Sequence, residues 1–408
     1  DRFRTLLLAE TDPPEHSLGG EAVLLARLDR LLAIGALDEA KAMVERAGPD
    51  TPELFRRWFD VALLLNEAEE PCATLAERAS LSPTLPARVF CLARGGDWNA
   101  AEITLTLGQD TGAISETQEL LLARFLDPGI FENDPPPPIM SPFTPLEFLM
   151  REAVALPRPP GPLPVAFLHA DLGEYTPVRM RIEAAERLYL AGGIGREVLF
   201  AAYRAGEPAA SGAAWDRAAA VQALDESIAD GTTAVQLAAL RTAASRLRER
   251  DLLQALALTY PDELAEWSES YKLDDENRRL LTALLLLSGR YDQAADSAGV
   301  PGAGAIAVAA GLHANGGPQH HDLIEATLLG TTMTKANAPR ETTLEERVLA
   351  GEVGAALLSS LDLLADGTGT DPESLRAGLY GLRLADQSDW ARRIAVETLV
   401  LSAYPAGS

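Results

Sequence analysis

Apolar residues recur along this chain at helical spacing, not in alternation. In residues 21–34, Leu24, Leu28 and Leu31 fall at i, i+4 and i+7, with Leu25 and Leu32 beside them, while Arg27, Asp29 and Arg30 lie off that stripe. The pattern predicts a helix with one wide apolar face. Ala, Leu, Glu and Arg dominate the chain, and all favour helix. Alternating Val/Ile/Thr segments are nearly missing, so the expected fold is all-α with no significant sheet.

Helix starts are marked by capping chemistry. Thr51-Pro52-Glu53 and Asp371-Pro372-Glu373 put a side-chain acceptor before a proline at the first helical position. Thr144-Pro145-Leu146-Glu147 has capping-box spacing, as does Thr342-Thr343-Leu344-Glu345 from its first threonine. Each cap should contribute about 1 kcal/mol to its helix.

One stretch interrupts the helical pattern. Prolines at 135–138, 142, 145, 157, 159, 160, 162 and 164 forbid a long helix. The expectation is a Pro-rich connector over 131–178, with one short helix near 144–155. It would separate an N-terminal helical-repeat region (1–130) from a C-terminal one (179–408). A polyproline motif recruited by a partner is the minority reading.

Between helical stretches a turn recurs. Gly35-Ala36-Leu37 leads to Ala40, Gly96-Asp97-Trp98 to Ala101, Gly289-Arg290-Tyr291 to Ala294, and Gly351-Glu352-Val353 to Ala356. The glycine lets the chain leave one helix in a left-handed conformation. The apolar residue two positions later is expected to close the hairpin's end, and the alanine to let the second helix pack closely. Leu31-Leu32 and Glu45-Arg46-Ala47 recur 32 residues on as Leu63-Leu64 and Glu77-Arg78-Ala79, with Glu67 and Cys72 at the positions of Gly35 and Ala40. In these residues the chain resembles tetratricopeptide-type helical repeats, with their 34-residue units and Gly-x-aromatic-x-x-Ala hairpin. The match covers 21–105 and 275–360. It implies an α-solenoid of stacked hairpins whose surface binds a protein partner.

The chain has two cysteines, Cys72 and Cys91. They read either as two buried thiols or as one disulfide of an oxidising compartment. In the repeat register they fall on neighbouring helices, which makes a bridge geometrically reasonable.

Composition narrows the function. Of 408 residues, 60 are acidic and 35 basic, for a formal net charge of −25. Such a chain lacks the clustered cationic surface that nucleic acid requires, and it is disfavoured on anionic lipid. The uncharged run 297–317 contains Pro301 and six glycines, so no integral membrane segment is expected. The chain begins at Asp1, so either a leader was removed or the sequence was trimmed, and with no charged n-region and apolar run any signal peptide is expected to be gone already. A periplasmic location is expected, with the cytoplasm as alternative. Lysine occurs only at 41, 272 and 335, a coding bias of GC-rich bacteria.

Catalytic motifs are missing: there is no phosphate loop, His-Glu-x-x-His or Gly-x-Ser-x-Gly. Gly192-Gly193-Ile194-Gly195 reads as a helix-hairpin turn. His320-His321-Asp322 reads as solvated loop, and 366–371 as a turn into the helix that Asp371 caps; His16, His169 and His313 stand apart. No metal or cofactor is expected. Glu69-Glu70 and Asp274-Asp275-Glu276 read as solvated faces. Trp98 and Trp390 are expected to pack at hairpin ends. Glu269-Ser270-Tyr271 is similar to the catalytic start of lytic transglycosylases, but no catalytic domain follows it. Arg56, Arg57, Arg246, Arg248 and Arg250 are available to pair with an acidic partner. The expected function is therefore a non-catalytic protein-binding scaffold of the bacterial envelope. The alternatives are a role in cell-wall (peptidoglycan) metabolism and a homo-oligomer with a structural role.

Overall fold

The computed structural model describes residues 2–10, 21–131, 134–208, 212–269, 273–313 and 318–404. Among these are twenty-three α-helices, three 3-10 segments and no strand. The chain forms two compact units, Phe3–Ala202 and Tyr203–Ser408.

The first unit opens with antiparallel helix pairs. Ala22–Ile34 packs on Leu37–Ala47, Pro52–Leu64 on Glu69–Glu77, and Leu85–Arg94 on Trp98–Asp110. Gly35 and Gly96 leave their helices with φ of 78° and 83°. The 6→1 hydrogen bonds from Ala36 N to Leu31 O (2.9 Å) and Asp97 N to Leu92 O (3.0 Å) close each helix end as a Schellman turn. In the middle pair the left-handed residue is Asn66 (φ 59°), one position before the Glu67 that the repeat alignment puts there. Asn visits this conformation through local hydrogen bonding, and glutamate does so rarely. Cys72 and Cys91, on Glu69–Glu77 and Leu85–Arg94, are joined in a disulfide with Cα atoms 5.0 Å apart.

The second unit repeats the turn. Gly289 and Gly351 have φ of 87° and 83°, with Arg290 N donating to Leu285 O (2.9 Å) and Glu352 N to Arg347 O (2.8 Å). Asp251 (φ 57°) and Asp386 (φ 60°) make two further turns of this kind, which a glycine-based pattern passes over. Ala40, Ala101, Ala294 and Ala356 are all fully buried, as is Ala391 at the same offset from Asp386. The residue two past the turn behaves less uniformly. Leu37 is buried, but Trp98 is 54% and Val353 39% exposed, so neither closes its hairpin as expected. Tyr291 is half-buried, with the Arg392 guanidinium 5.7 Å from its ring centre.

The leucine run 280–287 lies in the helix Asp275–Ser288 and is buried on all sides, as an all-round apolar helix must be. The helix Ser388–Ala403 returns to pack on it and on Ala305–Gly311, and Pro318–Thr332 packs on Pro372–Leu384. That last helix approaches its neighbours through glycine: a Cβ on Gly378 would sit 2.6 Å from Leu364 Cγ, and one on Gly381 2.2 Å from Ser360 Oγ.

Two helix starts differ from expectation. Thr144 caps its helix, accepting from Glu147 N at 3.2 Å, but the Glu147 carboxylate accepts from Met140 N at 3.0 Å and does not complete the box. The later helix begins at Pro339, ahead of Thr342. Proline suits its first position, and Glu341 accepts from Asn337 N (2.7 Å) and Ala338 N (3.0 Å), while Thr342 and Thr343 bond back to carbonyls four residues earlier.

The described residues of 131–178 belong to the first unit and pack on its helices, where the sequence suggested a connector between regions. The helix Pro145–Ala153 lies on Pro52–Leu64 and Glu116–Leu126, and the 3-10 segment Val165–Leu172 lies on Ala22–Ile34 and Pro52–Leu64. Proline-rich backbone offers carbonyls without the matching N–H groups of a ladder, so donors must come from side chains. Two buried arginines supply them. Arg124 donates to Phe131 O (3.1 Å), Asp134 O (3.0 Å) and Pro135 O (3.3 Å). Arg151 donates to Pro137 O (3.2 Å) and Pro157 O (3.4 Å). Phe143 stacks on Phe167 while Phe148 meets both edge-on, with centroids 5.3 to 6.2 Å apart, and the three rings hold the segment together.

Candidate functional site

Where the Pro-rich segment crosses the helix pairs it leaves a pocket of about 310 Å³. Arg56, Phe59 and Asp60 reach it from Pro52–Leu64, a helix whose i, i+3 and i+4 positions share a face. Leu122 comes from Glu116–Leu126; Met140, Phe143, Glu147 and Met150 come from the Pro-rich segment and its helix. The Ser141–Pro142 peptide bond beside them is cis.

The pocket is apolar with two embedded carboxyl groups. Burial raises the Asp60 pKa to about 6, against the opposing pull of Arg56 and Arg57 and with a small push from Asp29. Arg56 Nε stands 3.9 Å from Asp60 Oδ2, and Arg57 is held away in a two-pronged pair with Asp29 at 2.8 and 2.9 Å. Glu147 is fully buried. Its Oε1 accepts from Met140 N and lies 3.5 Å from Arg151 Nη1, while Oε2 has no hydrogen-bond partner among the described residues. Burial pushes the Glu147 pKa up as well. Such a pocket can seat an apolar group between Phe59, Leu122, Phe143 and Met150 and accept a hydrogen bond at Asp60.

Glu147 was marked in sequence only as a capping-box residue and Asp60 not at all, because one acidic residue among 60 carries no signal without its surroundings. The i, i+4 pair Arg56/Asp60 and the phenylalanines flanking it were the only hints. None of the turn residues named from sequence lines this pocket, and Trp98 stands exposed. Arg246 pairs with Glu249 at 3.3 Å, and Arg248 lines a cleft in the second unit. His169 and His313 each contact a backbone carbonyl, Gly35 O at 2.6 Å and Leu399 O at 2.7 Å. His321 is exposed. His16, Ser270 and Tyr271 lie outside the described residues, as do the side chains of His320 and Lys272. Among the described residues no three His, Cys, Asp or Glu side chains converge as a metal site needs, and no helix is long and apolar enough to cross a membrane. No protein-family model, curated protein or solved structure matches this chain.

Proposed function

We propose that the protein is a non-catalytic binding protein of the bacterial cell envelope, a tetratricopeptide-like scaffold that holds a protein partner. The observation that carries this reading is the apolar pocket walled by Phe59, Leu122, Phe143 and Met150. A partner's apolar side chain seated there would contribute about 1.5–3 kcal/mol, the scale of an interface anchor. The recurrent left-handed turns with buried alanines support the repeat reading. The Cys72–Cys91 disulfide supports an oxidising compartment such as the periplasm.

The test is a photo-reactive residue at Met140, which is half-buried at the pocket, in the native cell. The expected result is a discrete adduct with one partner, lost on Phe143→Ala while the circular dichroism spectrum is unchanged. Absence of any adduct, or adducts indifferent to Phe143→Ala, overturns the reading.

One observation favours a second reading, a role in cell-wall metabolism. Asp60 and Glu147 are two carboxyls with raised pKa values in one apolar pocket, the condition under which a carboxylic acid donates a proton near neutral pH. Release of soluble fragments from purified peptidoglycan, abolished by Asp60→Asn, would establish it; no release by the native chain removes it.

A further inference from the structure

The pocket in the first unit contains an acceptor without a donor. Asp60 reaches it from Pro52–Leu64 with a side chain 26% exposed. Among the described residues that carboxylate accepts no hydrogen bond. Arg56 Nε stands 3.9 Å away, beyond hydrogen-bond reach, on a side chain 65% exposed. Arg57 is drawn off by Asp29 and by Glu53 O, to which its Nη1 donates at 3.1 Å. Both guanidiniums still favour the charged form of Asp60 through space. Its charge is therefore answered at a distance, while its oxygens lack a donor. An acceptor left so carries a desolvation penalty that an incoming donor relieves.

The other acceptors at the pocket are engaged or closed off. Thr84 and Thr144 accept from Ala87 N and Glu147 N, each at 3.2 Å, as helix caps. Gln118 Oε1 accepts from Ser115 N at 3.0 Å in a capping box. Glu147 Oε2 has no partner among the described residues, but its side chain is 0% exposed and no water-sized group reaches it. Asp60 is the acceptor that an occupant can meet. The donor that suits it is neutral, because Arg56 and Arg57 repel a cation brought to the same carboxylate. A hydroxyl would bring oxygen lone pairs that need a donor of their own, whereas an indole N–H donates and accepts nothing. A flat ring also suits the phenyl and thioether walls of Phe59, Phe143 and Met150.

We propose that the pocket holds a tryptophan side chain of the protein partner, its ring between Phe59, Leu122, Phe143 and Met150 and its indole N–H donated to an Asp60 oxygen. The assignment rests on the partner reading of this pocket and names the anchor.

Isothermal titration calorimetry of the full chain tests it with N-acetyltryptophanamide, the 1-methylindole form of the same amide, N-acetyltyrosinamide and phenethylamine. The tryptophan probe binds with a dissociation constant below about 1 mM. The 1-methyl form has no N–H and binds about tenfold more weakly or worse, the scale of a hydrogen bond to a charged acceptor. The tyrosine and amine probes bind more weakly than the tryptophan probe. In Asp60→Leu, which removes the acceptor at similar size, the two indoles bind equally, so the native preference is the donor's and not the effect of methyl bulk. The proposal is overturned if the 1-methyl form binds as tightly as its parent, if the tyrosine or amine probe binds more tightly, if Asp60→Leu keeps the preference, or if the tryptophan probe does not bind at about 10 mM. The cross-link at Met140 reports separately on the partner. An adduct without an N–H preference keeps the partner and removes the tryptophan; an N–H preference without an adduct removes the partner and leaves an indole site.

Discussion

The imidazole Nε2 of His169 lies 2.6 Å from the carbonyl oxygen of Gly35, tying the Pro-rich return to the first hairpin turn across 134 residues. A carbonyl only accepts, so Nε2 carries the proton. Burial holds the His169 pKa below 6.5, with the Gly35 hydrogen bond and Asp38 opposing it. A histidine kept neutral by the fold contributes stability that is full above pH 6.5 and is lost as pH falls below that value towards its folded-state pKa. Urea unfolding at pH 7.5 and 5.5 should therefore show that acidification is less favourable to the native protein than to His169→Gln.

Two turn glycines should respond differently to alanine. Both Gly35 and Gly289 have left-handed φ, which costs an alanine roughly 1 kcal/mol. At Gly289 an added Cβ meets nothing within 4 Å, and that is the whole expected loss. At Gly35 it would lie 2.7 Å from Leu188 Cδ2 and 3.2 Å from Val165 Cγ1, so Gly35→Ala should lose about 2–3 kcal/mol. Equal losses in denaturant titrations would refute the close packing of this turn.

The disulfide closes a loop of 19 residues. By the loop-entropy relation its removal in Cys72→Ala/Cys91→Ala should cost roughly 3 kcal/mol. Intact mass after alkylation without reductant should show no modified thiol in the native protein.

Asp60 should make the native state less stable at neutral pH. Its pKa rises from 3.8 to about 6 on folding, so stability falls as pH climbs through that window and the deficit is complete above it. Asp60→Asn should gain roughly 2 kcal/mol at pH 7.5, and the gain should vanish below pH 3.8. Stability spent at one pocket residue is expected where that residue serves binding.

Glu341 is fully buried and bonded to Arg376 Nε at 2.6 Å as well as to the two backbone N–H groups before its helix. Removing the arginine leaves a buried carboxylate short of its charge partner. Arg376→Ala should cost about 3 kcal/mol, more than Arg392→Ala, whose pair with Asp389 is exposed. Thermal melts of the two variants make the comparison.

The all-helical class was legible in the sequence because the apolar period, the helix-forming composition and the caps at Thr51 and Asp371 are local properties, decided within a few residues. The glycine turns were legible for the same reason, since φ above zero selects glycine; Asn66, Asp251 and Asp386 escaped because they reach that conformation through local hydrogen bonds. What only the tertiary structure decided was the path of residues 131–178. Prolines state where helix cannot run, but not where the chain goes instead, and that depended on parts of the chain far away in sequence, as where His169 meets Gly35 and the helix Pro145–Ala153 meets Pro52–Leu64. The pocket is of the same kind. Asp60 becomes unusual only once Glu147 and Phe143 are laid over it, because burial belongs to assembled surfaces.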